Sequence, residues 1–325
     1  MYINLALGFD KKFCEHAAVT IKSIIENSDT DIVFYLMIDK SVSFTQQFLL
    51  KKLIQHTKHK IKFVPMNNAF NDLFTGTWSK AMYYPILLSS ICKENRILFL
   101  DSDVVVTGDL TEFYNTPLDN YFCAAVQDYG MRGWIKQKHL ISISNSKEQI
   151  SIDKYFSDIR QWGKEDLSKY FNSGMILMNL DEMRKFNAEN EMKNILKYDH
   201  LACPDQDCFN ICFHNKVKIL PPEFNFMVVQ PDVYNNLEQA DKILYDEYLN
   251  QNKTPLIIHY LAKPWLQENV FKEELYFKYR NLTPWKFKQT KINRQKFLRL
   301  KLSKNEMYLH ILGKCIFSTK KEALC

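Results

Sequence analysis

The sequence predicts an α/β protein with a mostly parallel central sheet flanked by helices. Three observations carry that expectation: apolar runs of strand length alternate with amphipathic helical segments, polar turns close the apolar runs, and 325 residues at 46% hydrophobic can bury a sizeable core. Ile3 to Leu7 reads as a short strand ending at Gly8-Phe9-Asp10. Ala17, Ala18, Ile21, Ile24 and Ile25 then recur at helical spacing, and Asn27-Ser28-Asp29 closes that helix. Ile32 to Ile38 is the next strand, Phe44, Phe48, Leu49 and Leu53 mark a second helix, and residues 60–64 alternate like a strand. Ile86 to Cys92 reads as helical and Ile97 to Leu100 as a buried strand. In sheets of this kind ligands bind beyond the carboxyl ends of the strands.

Charge is unevenly spread. Residues 284–325 carry eleven Lys/Arg and two Glu, a net +9, whereas the remaining 32 basic and 35 acidic residues leave residues 1–283 at −3. Apolar side chains interrupt that basic stretch, so a basic, amphipathic helical tail is expected, suited to an anionic membrane surface or a polyanion; a solvated helical appendix packed on the body is the alternative. No nucleic-acid module accompanies the charge, so a nucleic-acid partner is not expected. The division expected is a domain over 1–265 and an extension over 266–325. No basic leader and no uninterrupted apolar stretch of about 18 residues appear, so neither a signal peptide nor a spanning helix is expected. The eight cysteines read as reduced core thiols. Cys203, Cys208, Cys212 and His214 cluster without the spacing of a zinc knuckle, and core packing is the better reading.

Four segments carry chemistry. After Arg96–Leu100 come Asp101-Ser102-Asp103, two carboxylates at the tip of a buried strand. Such charge is costly without a partner, and a divalent cation is the usual one, although a plain turn also favours Asp. Tyr170-Phe171-Asn172-Ser173-Gly174 reads as a small polar turn before a strand, with Gly174 permitting close backbone approach. Cys203-Pro204-Asp205-Gln206-Asp207 reads as a helix start, where Asp205 and Asp207 also complement the helix dipole. Finally, residues 255–265 run from a buried strand to His259 at its end, with Lys263 beyond. One imidazole with two carboxylates suits Mn2+, and a Lys can neutralise phosphate, though a lone His at a strand end is more often structural.

In this order the segments resemble glycosyltransferase family 8, the retaining transferases of the GT-A fold, over roughly residues 1 to 265. Asn4 to Lys11 looks most like the bacterial lipopolysaccharide-core glucosyl- and galactosyltransferases. The resemblance implies a UDP-hexose donor, UDP-galactose or UDP-glucose, and Mn2+ (or Mg2+) held by Asp101, Asp103 and His259. It implies that Leu7, Gly8 and Asp10 border uracil, Ser102 the ribose, and Lys263 the phosphates. Asn172, Ser173, Gly174, Asp128, Asp205 and Gln206 would surround the donor sugar, with Asp207 the ionisable candidate for a covalent intermediate. The implied acceptor is a lipid-anchored oligosaccharide, and the implied location is cytoplasmic, peripheral on the inner membrane.

Two departures stand out. Pro85, in Ala81-Met82-Tyr83-Tyr84-Pro85, replaces the Arg usual in the family, and only three residues separate His259 from Lys263 where relatives have more. Both favour a rival reading, a non-catalytic surface-associated relative with a degenerate donor site. A nucleotidyltransferase is a second rival, but Gly8-Phe9-Asp10-Lys11-Lys12 supplies no Gly-rich phosphate cradle.

Overall fold

The computed structural model describes residues 2–67, 69–76, 78–146, 148–250 and 253–286, and the backbone of 298–302, 306–311 and 314–320. The chain forms two compact units, Met1–Leu261 and Ala262–Cys325. The strands of the first unit are β1 (Tyr2–Phe9), β2 (Asp31–Ile38), β3 (Lys60–Pro65), β4 (Arg96–Leu100), β5 (Val104–Val106), β6 (Cys123–Gln127), β7 (Leu140–Ser142), β8 (Gln149–Ser151), β9 (Phe171–Asn179), β10 (Val217–Leu220), β11 (Phe226–Met227) and β12 (Ile257–His259).

Seven of them make the central sheet in the order β10-β6-β9-β4-β1-β2-β3. The pairs β1–β2, β2–β3, β1–β4 and β6–β10 are parallel, as the alternation of apolar strands and helices implies. Strand β2 shows why: seven of its eight residues are buried, the pattern of a strand covered on both faces. The crossover helices Cys14–Asn27 and Phe44–Leu53 follow the expected periodicity. A capping box at Ser43 and Gln46 starts the second of them.

Strand β9 is the exception, antiparallel to both β4 and β6. Its amino end therefore meets their carboxyl ends, so Asn172, Ser173 and Gly174 come to the same edge as Asp101 and Asp128. These residues lie inside β9 rather than in a turn before it, and Gly174 has no positive φ. The turn expected there is a strand, because Asn172 and Ser173 find buried partners that a polar dipeptide does not announce.

A second, three-stranded sheet in the order β11-β12-β5 closes that edge. Val104 of β5 stands opposite His259 of β12. Two buried hydroxyls on helix Cys14–Asn27 hold β5: Thr20 Oγ1 donates to the Val104 carbonyl at 2.8 Å, and Ser23 Oγ accepts from Val106 N at 3.0 Å. Cys208 and Cys212 pack as core thiols, Cys208 Sγ lying 3.3 Å from the Met192 carbonyl. Among the described residues they join no metal-ligating cluster.

In the second unit Tyr276, Tyr279 and Arg280 of helix Glu273–Asn281 are buried, and the Trp265 and Tyr276 rings lie 5.1 Å apart. The helical tail expected from charge is corrected beyond residue 297. Strands β13 (Leu298–Leu302), β14 (Glu306–Ile311) and β15 (Lys314–Lys320) form an antiparallel meander. The physical reason is the period: Leu298, Leu300 and Leu302 alternate with Arg299 and Lys301, and Met307, Leu309 and Ile311 alternate likewise. The side chains of the basic segment beyond Lys286 lie outside the described residues.

Pro85 sits in a 3-10 helix, Lys80–Leu87, buried with Tyr83, Tyr84 and Ile86. A guanidinium at that position would enter a packed apolar layer. Pro85→Arg is expected to cost about 1–3 kcal/mol of stability and to leave the donor KM unchanged or raised. Thermal melting and donor KM measured together check this; a lowered KM at unchanged melting temperature would refute it.

Candidate active site

Three segments of the first unit converge at the carboxyl edge of the central sheet. Asp101 and Asp103 follow β4, and His259 ends β12. Their ligand atoms all lie within 4.8 Å of one another, the one such group among the described residues. His259 Nε2 is 3.8 Å from Asp101 Oδ2 and 3.3 Å from Asp103 Oδ1. His259 is 2% exposed and Asp103 9% exposed, so the pair is largely withdrawn from water. Backbone bonds hold both acids in place: Asp101 N donates to the Gly174 carbonyl at 2.8 Å, and Tyr260 N donates to the Asp103 carbonyl at 3.0 Å.

Gly174 forms the floor of this cluster. A Cβ there would stand 2.3 Å from His259 Cε1 and 2.7 Å from Asp101 Oδ2. No side chain fits without moving the imidazole, so glycine is required by close approach rather than by backbone angle. Two carboxylates and an imidazole in a space kept clear by a glycine fit a hard or borderline divalent cation.

Beside the cluster lies a buried polar network. Asn172 Nδ2 donates to Asp128 Oδ2 and to Gln206 Oε1, both at 3.1 Å. Gln206 Oε1 also accepts from Ser173 N at 3.1 Å, and its Nε2 donates to Asp128 Oδ2 at 3.0 Å and to the Tyr170 hydroxyl at 3.1 Å. Asp128 caps helix Tyr129–Gln137, its Oδ1 accepting from Met131 N at 2.8 Å. Asn172, Gln206 and Asp128 are each buried, so these bonds replace water that cannot reach them.

Asp205 and Asp207 share a helix start but not an environment. Asp205 accepts from Ser173 Oγ at 3.0 Å. Burial pushes its carboxyl up to about 7, the nearby charge of Asp101 adds to that, and the Ser173 hydrogen bond opposes it. Asp207 is 2% exposed. Its Oδ1 accepts from Tyr170 OH at 2.6 Å, and its Oδ2 accepts from Tyr155 OH, Ala202 N and Cys203 N at 2.7–2.9 Å. Burial raises its carboxyl too, against those four donors. Asp207 therefore pins the start of helix Pro204–Cys212 to the aromatic layer of Tyr155 and Tyr170.

The first strand supplies the other side of the edge. Ser102 Oγ donates to the Gly8 carbonyl at 3.2 Å. Asp10 closes its own turn, accepting from Lys12 N at 2.8 Å and from Ser79 Oγ at 2.9 Å. Leu7 is fully buried in the core, so only its backbone can border a ligand. Lys263 belongs to the second unit, where its ammonium lies 5.8 Å from the Trp265 ring centroid.

Asn225 escaped sequence reasoning. It is fully buried, donates from Nδ2 to Asn172 Oδ1 at 2.9 Å and places its Oδ1 3.1 Å from His259 Nδ1. Its only signal was a polar residue set between Phe224 and Phe226 after Pro221-Pro222.

Residues 4–269 match the family model described as Glycosyl transferase family 8. Glycosyltransferase GlyB of Streptococcus pneumoniae is 29% identical across 87% of this chain, which spans 62% of that protein. The lipopolysaccharide 1,2-glucosyltransferase of Escherichia coli K12 is 25% identical across 87% of this chain and 79% of its own length. Among solved structures, galactosyltransferase LgtC in complex with donor and acceptor sugar analogues superposes with a TM-score of 0.66 at 21% identity, covering 88% of this chain and all of that one. The bifunctional glycosyltransferase WbbM gives 0.74 at 24% identity, over 87% of this chain and half of that one. The fold is GT-A.

The environment of Asp205 has a measurable consequence in metal-free protein. The folded state holds this proton more tightly than the unfolded chain, whose carboxyl stays near 3.8. The stability it contributes is complete below about pH 4 and is lost as the pH rises through about 7. Asp205→Asn should flatten that part of the melting-temperature profile; identical slopes in parent and variant would contradict the assignment.

Proposed function

Because the chain belongs to glycosyl transferase family 8, we propose that it moves a hexose from a UDP-sugar, with retention of configuration, onto a lipid-anchored oligosaccharide of the lipopolysaccharide type. The observation that carries this reading is the cluster of Asp101, Asp103 and His259 at the sheet edge, beside the buried polar set of Asp128, Asn172 and Gln206. The named activity of the lipopolysaccharide glucosyltransferase relative supports the acceptor class.

Mn2+ held by Asp101, Asp103 and His259 would supply Lewis-acid stabilisation of charge on the departing diphosphate. Gly8, Asp10 and the backbone of Leu7 border the uracil, and Ser102 the ribose. Asn172, Ser173, Asp205 and Asp128 orient the hexose hydroxyls, and Gln206 lies under the anomeric carbon. The amide oxygen of Gln206 already accepts two hydrogen bonds and Asp207 accepts four, so neither is poised as a nucleophile. This supports front-face attack: the acceptor oxygen bonds to the anomeric carbon as the bond to UDP breaks, and the departing β-phosphate takes the acceptor proton.

Asp103→Asn should lower turnover of UDP-galactose and UDP-glucose by at least about a hundredfold and abolish the Mn2+ dependence of UDP binding. Full activity in that variant, or in excess EDTA, would refute the reading.

The basic segment 284–325, net +9, is proposed to seat the enzyme on the anionic cytoplasmic face of the inner membrane. Truncation after Lys286 keeps Thr283 and Trp285, which are buried. It should spare donor hydrolysis while removing salt-sensitive binding to vesicles containing phosphatidylglycerol; equal vesicle binding by both forms would exclude this role.

A further inference from the structure

Asn225, the neutral group between the donor-sugar residues and His259, has no role assigned above. Asp128, Asn172, Asn225 and His259 form one hydrogen-bonded chain, and its two ends differ chemically. One end is a carboxylate, here an acceptor only. The other is an imidazole, which can donate or accept through either nitrogen. Between them stand two amides, each with a donor and an acceptor end. Once the carboxylate is placed, the direction of every bond in the chain is determined.

Asp128 Oδ2 accepts, so the group of Asn172 that faces it is the amide nitrogen. The Asn172 oxygen then points the other way, and the Gly174 N–H donating to it at 3.0 Å fixes that orientation a second time. Asn225 must in turn present its nitrogen to Asn172, as it does at 2.9 Å. The Asn225 oxygen is thereby left facing His259 Nδ1 at 3.1 Å. An oxygen cannot donate to that nitrogen, so Nδ1 carries the proton. In the neutral ring Nε2 is then the nitrogen without a proton, and it is the one within 3.8 Å of both Asp101 and Asp103. All four residues are at most 7% exposed, so water does not compete for these positions.

We propose that Asn225 is a positioning residue, the last member of an amide relay that starts at Asp128 and holds His259 as its Nδ1–H tautomer, with the Nε2 lone pair turned into the cluster of Asp101 and Asp103. The relay gives Asp128 and Asn172 a second task, because the side chains that flank the donor sugar also determine which imidazole nitrogen is free. The inference rests on the reading of His259 as a metal ligand only in its consequence; the tautomer itself is a property of the metal-free chain. Partners of this kind typically alter metal affinity by about 10–100-fold when removed.

The test uses the full chain, metal-free, with 15N-labelled imidazoles, and assigns His259 by its absence in His259→Gln. At a pH where the ring is neutral, two-bond proton–nitrogen correlations should show His259 as Nδ1–H in the parent. In Asn225→Leu the acceptor is gone, and the proton should move to Nε2, with the calorimetric Kd for Mn2+ weakened about 10-fold or more. Asn225→Asp still offers Nδ1 an acceptor and should keep the proton there, although its second oxygen loses the bond to Asn172. An Nε2–H signal in the parent, or an Nδ1–H signal that persists in Asn225→Leu, overturns the relay. If the tautomers behave as stated but Mn2+ binds parent and His259→Gln alike, the relay stands and the metal reading fails.

Discussion

The approach of Gly174 to Asp101 and His259 is the constraint on which the site depends. Strand β9 enters the sheet against the direction of its neighbours, and at its amino end the backbone passes where a single methyl group would collide with the imidazole. That closeness lets Asp101 N bond the Gly174 carbonyl, and it sets Asn172 and Ser173 one step away among Asp128, Asp205 and Gln206. Three elements with no local sequence relation, β4, β9 and β12, reach one point because one of them has no side chain there.

The electrostatics follow from that crowding. Asp101 and Asp103 lie with His259 inside 4.8 Å, and Asp101 also raises Asp205. Two like charges about 5 Å apart repel by about 3 kcal/mol at an effective dielectric constant near 20. That exceeds the roughly 1 kcal/mol of a typical neutral hydrogen bond, so hydrogen bonding alone does not balance the cluster. A bound cation or a proton does, and Asp205, pushed up to about 7 chiefly by burial and further by the charge of Asp101, takes the proton. Asp207, more deeply buried and met by four donors, is instead part of the scaffold.

Much of this was legible in the sequence. The strands and helices up to Leu100 follow from periodicity; Asp101, Asp103 and His259 stand out as carboxylates and an imidazole at the ends of apolar runs, and the family resemblance joins them as one ligand set. Other features were illegible for physical reasons. Asn172-Ser173-Gly174 reads as a turn because small polar residues favour turns, whereas burial against Asp128 and Gln206 makes them strand. Asn225 carries no charge and belongs to no spacing, so only its contacts disclose it. In the tail, net charge outweighed the two-residue alternation, and a helix was expected where β13, β14 and β15 form a sheet.

The position of β12 has a consequence for how the chain acquires its site. His259 comes 156 residues after Asp103, and its strand pairs with β5 only once both are present. Contacts of such long sequence separation form late, because the loop between them must first be ordered. A chain emerging from the ribosome can assemble β1 to β4 from local crossovers while the cluster still lacks its imidazole. The Asn225–His259 bond and the β5–β12 pairing are then late events, and nascent chains that stop short of His259 carry the carboxylates of the site without its third side chain.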